Sequence, residues 1–320
     1  MPNFDMKIKY KKALVTGGAG FIGSHIVERL VEMGVETVVI DDLSMGRREN
    51  VSNKARLVVG DILSQDDISK AMRGVDIVFH NAAKVSIRNS FKDVDSDAKI
   101  NIIGTLNVLK AMAKNKAKKI VYASSMAVYG KNPLPIKEAG MLEPISPYGI
   151  GKLASEKYCM LMGRANNFDA VILRYFNTYG PRQTFTPYVG VITIFIKQLL
   201  ENRSPVIFGD GKQTRDFIYV KDVAKANISA MLKDTGSYIL NVGTGKGTTV
   251  RDLAGLLIKK INPDIKVKFG KPVAGEPADS VADTKKADMI LGFISKYKLE
   301  DKLEETIDKI SLETKRGKRC

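Results

Sequence analysis

Short apolar runs recur along the first half of the chain, separated by stretches whose apolar residues fall every third or fourth position. The runs Ala13-Leu14-Val15, Thr37 to Ile40, Arg56 to Val59, Asp76 to Phe79 and Lys119 to Tyr122 predict strands, and Ala170 to Arg174 supplies a further one. Helical spacing lies between them, as over Gly23 to Met33 and Ile100 to Lys114. Such alternation predicts an α/β fold, a doubly wound parallel sheet. Beyond Arg174 the rhythm breaks at Gly180-Pro181, Thr186-Pro187, Gly209-Asp210-Gly211 and Pro272 to Pro277. The expected division is a dinucleotide-binding domain over residues 1–174, also receiving part of 212–236, and a smaller C-terminal α/β lobe over 175–320 that binds substrate. The tail from 313 to 320 is expected to be disordered.

With 320 residues, 44% hydrophobic and 27% charged, the chain has the composition of a globular protein with a large core. No apolar run approaches the roughly 18 residues of a membrane span, and the opening Met-Pro-Asn-Phe-Asp-Met-Lys lacks the apolar segment of a secretory signal. Two cysteines, Cys159 and Cys320, support neither a disulfide framework nor a zinc site, so a reducing cytoplasm is the expected location and no metal is expected. A net charge of +16 raises the question of nucleic acid. Most lysines are scattered beside acids, and the runs Lys114 to Lys119 and Lys315 to Arg319 are not interleaved with aromatics. A solvated lysine-rich surface is therefore preferred, with neither nucleic acid nor membrane as partner. The charge also suits an anionic diphosphate substrate.

The first strand runs into Thr16-Gly17-Gly18-Ala19-Gly20-Phe21-Ile22-Gly23, and a helix follows. Glycines at 17, 20 and 23 allow a sharp turn, close approach to a pyrophosphate and tight packing of helix on sheet, with the diphosphate at the helix N-terminus. The acid pair Asp41-Asp42 ends the next strand. A carboxylate there accepts from both hydroxyls of the adenosine ribose and repels a 2′-phosphate, which favours NAD over NADP. Arg47 and Arg48 are the counter-signal, since a basic loop also suits a 2′-phosphate.

Farther along, Ser146-Pro147-Tyr148-Gly149-Ile150-Gly151-Lys152 reads as a helix start, with Ser146 as N-cap and Pro147 at the first helical position. Tyr148 and Lys152 then share one face, one turn apart. A phenol has an ordinary pKa of about 10 and is a poor base. An ammonium about 5 Å away, at an effective dielectric near 20, favours the phenolate by roughly 3 kcal/mol. Such a tyrosine can exchange a proton with a sugar hydroxyl. Tyr-x-x-x-Lys alone also fits an ordinary amphipathic surface.

With Thr16 to Gly23, Asp41, Gly60-Asp61-Ile62, His80-Asn81-Ala82-Ala83, Asn101, Ser124 to Gly130 and Tyr148 to Lys152 in order, the chain resembles the extended short-chain dehydrogenase/reductases, whose first domain is a Rossmann fold. Arg174 to Gln183 and Gly209 to Phe217 resemble the nucleotide-sugar epimerases and dehydratases within that family. The resemblance covers about residue 7 to about 295. It implies that Gly17, Gly20, Phe21, Ile22, Gly23, Asp41, Asp42, Ser44, Asp61, Ile62, Ala82, Ala83, Lys84, Asn101 and Tyr175 hold NAD together with Tyr148 and Lys152. Ser125, Tyr148 and Lys152 would be catalytic, with Ser125 on the reacting oxygen. Asn177, Arg215 and Glu276 would grip a uridine diphosphate, Val206 to Phe208 would face the uracil, and Ser280 would lie beside the sugar. The plainer alternatives are a loop cap for Asn177, an ion pair for Arg215, core for Phe208, a turn for Ser280 and a packed, non-catalytic His80.

Among the family's reactions, 4,6-dehydration uses an Asp-Glu pair just after the catalytic hydroxyl residue, where this chain has Met126 and Ala127. Decarboxylases carry a Glu in the same loop, and none is present. What remains is 4-epimerisation of a UDP-hexose (UDP-glucose and UDP-galactose) through a transient 4-keto sugar, with NAD regenerated each turn. The family's 4-epimerases often carry an arginine where this chain has Val273, so Lys271 or Arg182 is the expected substitute on the diphosphate. The small Ser280, where narrow-specificity enzymes carry a tyrosine, leaves room for an N-acetyl group and so for UDP-N-acetylglucosamine and UDP-N-acetylgalactosamine. The alternatives are another nucleotide-sugar oxidoreductase of the family, or 4-epimerisation of UDP-glucuronate: Asn177 stands where the epimerases of that sugar tend to have Thr, whereas Arg88 suits a carboxylate. The resemblance further implies a homodimer paired through the helices that carry Leu106, Leu109, Leu153 and Met160.

Overall fold

The structure is a computed structural model that describes residues 8–185, 190–234, 236–271 and 279–317. Its first half delivers the predicted alternation: β1 (Lys12–Thr16), α1 (Phe21–Glu32), β2 (Glu36–Asp41), β3 (Arg56–Val59), α2 (Gln65–Ala71) and β4 (Ile77–His80). After α3 (Ile87–Ser90) and α4 (Val94–Ala98), a π-helical turn over Lys99–Gly104 leads straight into α5 (Thr105–Asn115). The helix expected from Ile100 thus begins earlier and is locally underwound into a π turn. Next come β5 (Lys119–Ser125), α6 (Pro147–Asn166) and β6 (Asp169–Tyr175).

The chain then leaves the sheet through β7 (Asn177–Tyr179), α7 (Val191–Leu200), β8 (Val206–Phe208), β9 (Thr214–Arg215) and β10 (Phe217–Tyr219). It returns with α8 (Val220–Leu232), packed against α1, and β11 (Tyr238–Val242), a strand absent from the sequence expectation. The rest is β12 (Thr248–Thr249), α9 (Val250–Ile261), β13 (Lys268–Gly270), α10 (Lys285–Leu291) and α11 (Leu299–Gly317). Helix α11 continues to Gly317, past residue 313 where disorder was expected to begin; residues 318–320 lie outside the described residues.

The main sheet has seven strands in the order β11-β6-β5-β4-β1-β2-β3, and every pairing is parallel. Strand order reverses between β1 and β4, which opens a crevice at the carboxyl ends where ligands bind in such sheets. Both faces are covered, so the strands are continuously apolar rather than alternating. One face packs Val15, Phe79, Val121 and Leu173 against α1 and α8, and the other packs Leu14, Val78, Ile120 and Ile172 against α2, α5 and α6. A separate cluster built on Phe195, Ile207, Tyr219, Leu253 and Leu303 forms the core of the C-terminal part, where β7 pairs β10, β8 pairs β13 and β9 pairs β12.

Two charged residues depart from what the pattern suggests. Lys119, the end of a basic run, is fully buried, and its ammonium donates to the carbonyls of Ala230 (3.2 Å) and Lys233 (2.6 Å) at the end of α8. Arg174 and Glu156 are 1% and 0% exposed and form a two-pronged pair of 2.8 and 2.6 Å, with Ser124 donating to the same carboxylate at 2.5 Å. Arg174 also donates to the Tyr129 hydroxyl at 2.9 Å, and that hydroxyl donates to Asn241 at 2.6 Å. This network ties β5, α6, β6 and β11 together at one end of the sheet. Truncating one partner strands a buried charge, so Arg174→Met should lower stability by about 3–5 kcal/mol in urea unfolding. Joint replacement of Arg174 and Glu156 by apolar residues should cost less than the single change; equal or larger losses would refute the charge argument.

Candidate active site

The predicted cofactor residues converge on the crevice between β1 and β4. Gly17 has φ +67°, and a side chain there would lie 2.8 Å from the Ala82 nitrogen, so the turns after β1 and β4 touch only because this residue is glycine. A Cβ at Gly23 would meet the Gly17 carbonyl oxygen at 2.2 Å, which fixes how closely α1 approaches the turn. Helix α1 begins at Phe21 with no side-chain cap, leaving its first amides directed at the crevice.

Asp41 is 7% exposed and accepts from the amides of Ala19 and Leu43, both at 2.9 Å. Burial raises its pKa, and those two amides act against the rise. Each carboxylate oxygen keeps lone pairs for ribose hydroxyls. Asp42 is exposed and accepts from the Ser44 amide and hydroxyl, so this pair shapes the loop rim. Asp61 is exposed and accepts from the Leu63 amide, while Ile62 is buried under α5. Lys84 and Asn101 exchange two backbone–side-chain bonds of 3.1 Å, which set the loop after Ala82-Ala83 beside the π-helical turn. The glycine cradle, the bare helix N-terminus and the satisfied but not saturated Asp41 fit a dinucleotide with a free 2′-hydroxyl.

His80 is 1% exposed, bonded to Thr16 (2.7 Å) and Thr105 (2.9 Å), and burial drives its pKa down to about 3. It is a packed residue that braces β1 and β4 against α5.

Helix α6 starts as its sequence dictates: Ser146 caps it by accepting from the Gly149 amide at 3.1 Å, and Pro147 occupies the first turn. Tyr148 and Lys152 face the end of β5. The Lys152 ammonium donates to the Ala123 carbonyl at 2.8 Å and stands 5.9 Å from the Tyr148 ring centroid and 4.9 Å from that of Tyr122. Ser125 terminates β5 and hydrogen-bonds the Tyr148 phenol. The expectation that Lys152 lowers the phenol's pKa is not met. Burial pushes Tyr148 up to about 12, with the Ser125 bond acting against the rise and the charge of Asp97 adding to it. Burial likewise pushes Lys152 down to about 8, against the influence of Cys159, Asp97 and Glu156. In this structure desolvation outweighs the pair's own attraction. Tyr175 pairs in register with Ser125, but its hydroxyl donates to Asn227 at 3.0 Å and so turns toward α8.

On the C-terminal side, Asn177, Arg215 and Ser280 come together. The Asn177 amide donates to Ser280 Oγ at 3.1 Å, and Ser280 bridges to Arg215. Ser280 is fully buried, and Arg215 is half-buried with one donor on the Thr214 carbonyl. Val206 is half-buried and Phe208 is 39% exposed, with the Arg88 guanidinium 5.3 Å from its ring centroid. Glu276 and Val273 lie outside the described residues. Two acids near the reactive pair escaped the sequence reading, Asp97 and Glu156. Glu156 stands eight residues after Tyr148 and so on its helical face, a signal that was available; Asp97 carries no local signal at all.

The model of the NAD dependent epimerase/dehydratase family matches residues 13–243. This chain belongs to that family. It is 43% identical over 298 residues to a protein of Methanocaldococcus jannaschii described as a putative UDP-glucose 4-epimerase, covering 92% of this chain and 97% of that one. The fold matches the UDP-glucose 4-epimerase of Thermotoga maritima with UDP-glucose at a TM-score of 0.91 and 37% identity, covering 95% of this chain and 99% of that one. It also matches the UDP-N-acetylglucosamine 4-epimerase of Methanobrevibacter ruminantium in complex with UDP-N-acetylmuramic acid at 0.90 and 38%, with the same coverage. As a member of the NAD-dependent epimerase/dehydratase family, the protein uses NAD, and we propose that the glycine turn cradles its diphosphate. Gly23→Ala should therefore weaken NAD binding at least tenfold by titration calorimetry; unchanged affinity would show that the turn is not the diphosphate cradle.

Proposed function

We propose that the protein interconverts UDP-hexoses at carbon 4, with UDP-glucose and UDP-galactose as substrates. The observation that carries this reading is the composition of the reactive end of β5. Ser125, Tyr148 and Lys152 meet there, and the positions that follow Ser125 are Met126 and Ala127, which cannot move protons. Proton exchange at one sugar oxygen is all that these residues provide. Bound NAD supplies the reversible hydride acceptance at carbon 4. Tyr148 must act as the phenolate, which the positive charge of a bound nicotinamide would favour against the burial that raises its pKa. It takes the proton of the carbon-4 hydroxyl and, as the phenol so formed, returns it to the oxygen of the 4-keto sugar, while Ser125 holds the same oxygen and Lys152, anchored on the Ala123 carbonyl, would orient the nicotinamide ribose. Asn177 and Arg215, together with Glu276, which lies outside the described residues, are proposed to hold the diphosphate and uridine, with Phe208 against the base. The small Ser280, held back against the Asn177 amide, supports acceptance of N-acetylated sugars. The alternative, UDP-glucuronate, needs Arg88 at the sugar carboxylate, whereas Arg88 stands over the Phe208 ring proposed to face the base.

The exposed apolar residues Ile103, Ile150 and Leu161 on the π-helical turn and α6 support a homodimer through these helices, whereas Leu109 is core. Among the described residues no helix is long and apolar enough to cross a membrane, and a cytoplasmic location is part of the same proposal.

A panel of UDP-sugars assayed for carbon-4 product tests the reading. Transient NADH absorbance without net coenzyme consumption is the expected result, and stoichiometric NADH release would refute it. Tyr148→Phe should reduce turnover by at least a thousandfold while NAD stays bound. Since Lys152 is an ammonium below about pH 8 and loses its proton above it, activity should fall as pH rises through about 8. A profile flat to pH 10 would remove Lys152 from the proposed role.

A further inference from the structure

Asp97 is a buried acid that the mechanism leaves without a task. It is 1% exposed, and its Oδ1 has no hydrogen-bond partner, an arrangement that costs stability unless a cation compensates it. Its place is set by Gly151, the residue just before Lys152: a Cβ there would stand 3.3 Å from the Asn101 side chain and 3.5 Å from Asp97 Oδ2. Helix α4 and the π-helical turn thus lie against α6 at the level of Tyr148 and Lys152.

The charges around this contact are unequally matched. Glu156 is neutralised by Arg174 and Ser124. Lys84, the other cation acting on Asp97, is bonded to Asp93 and Ser96. Lys152 donates to a neutral carbonyl and is flanked by the rings of Tyr122 and Tyr148, with His80, held neutral, and the buried Cys159 thiol nearby. Burial raises the pKa of Asp97, and Asn101, Lys84 and Lys152 act against that rise. Among the described residues this acid and the Lys152 ammonium, both buried, lack a charged partner in direct contact, and they share one helix–helix seam.

We propose that Asp97 is a positioning residue for the epimerisation, the buried counter-charge that keeps Lys152 an ammonium at neutral pH. The inference rests on the epimerase reading for its functional meaning, but not for its test. Burial pushes Lys152 down, and the Cys159 sulfur, Asp97 and Glu156 oppose that push; of these three, Asp97 is the acid with neither a high-pKa thiol's neutrality nor an arginine to cancel it. Removing it shifts Lys152 further down and also removes an anion that raises Tyr148, so both proton affinities fall together.

The test follows Lys152 directly by NMR of protein labelled with 13Cε-lysine, the resonance being assigned with Lys152→Met. Asp97→Asn should move the Lys152 titration to lower pH by about one unit, and Asp97→Glu should restore most of it. The alkaline limb of kcat should move by the same amount. A Lys152 titration unmoved in Asp97→Asn, with activity merely scaled down, would overturn the proposal and leave Asp97 a packing residue. If Asp97→Asn fails to fold, 13Cγ-aspartate in the native protein decides: a carboxylate ionised at pH 7 supports the counter-charge, and one protonated through pH 8 overturns it. Absence of turnover on every UDP-sugar would count against the epimerase reading alone, since the titration needs no substrate.

Discussion

The reactive end of the molecule depends on the ion pair of Glu156 and Arg174, which is shut away from solvent where β5, β6 and α6 meet. Burying two charges costs several kcal/mol per ion, and the cost is offset only when every donor and acceptor finds its place. Here the carboxylate takes two bonds from Arg174 and one from Ser124, while Arg174 also reaches Tyr129 and the Glu138 carbonyl. Such a requirement admits one register of α6 against β5. Ser124 is the neighbour of Ser125, and Glu156 lies one turn beyond Lys152 on α6, so the geometry that satisfies the buried pair also sets the distance between the hydroxyl, the phenol and the ammonium.

The same seam governs electrostatics. Tyr148 and Lys152 are both sealed from water, and desolvation moves each toward its neutral form: the phenol upward, the ammonium downward. A pair on an exposed helix face would behave in the opposite way, each charge favouring the other. The spacing of two residues on a helix says nothing about how much water surrounds them, and for Tyr148 burial is the larger influence and sets the direction. Only the packing of α4 and the π-helical turn over α6 decides that.

The two ends of the crevice differ in how they are built. On the cofactor side, backbone does most of the work: glycines at 17 and 23 let turns and helix approach at distances no side chain would allow. On the C-terminal side, side chains from three separated segments are gathered by Asp216, fully buried and accepting from Thr244, Gly245 and Ala282. Asn177, Arg215 and Ser280 sit on the strands and the bridge so organised. Local sequence specifies the first kind of construction, and long-range contacts specify the second.

That division accounts for what was legible. The strand–glycine-turn–helix unit, the acid at the end of β2, the capped start of α6 and the alternation of strands with helices are each written in a few consecutive residues, because hydrogen-bonding period, turn conformation and capping are local. The seventh strand, the burial of Lys119, the hydroxyl of Tyr175 turned to Asn227 and the enclosure of His80 are not, since each depends on which distant element arrives beside it. The sequence by itself determined which chemical groups are available and which cofactor their spacing suits. Tertiary structure alone decided how dry their surroundings are, and so brought Asp97 against Gly151, the residue before Lys152, and set the direction in which the proton affinities of Tyr148 and Lys152 move.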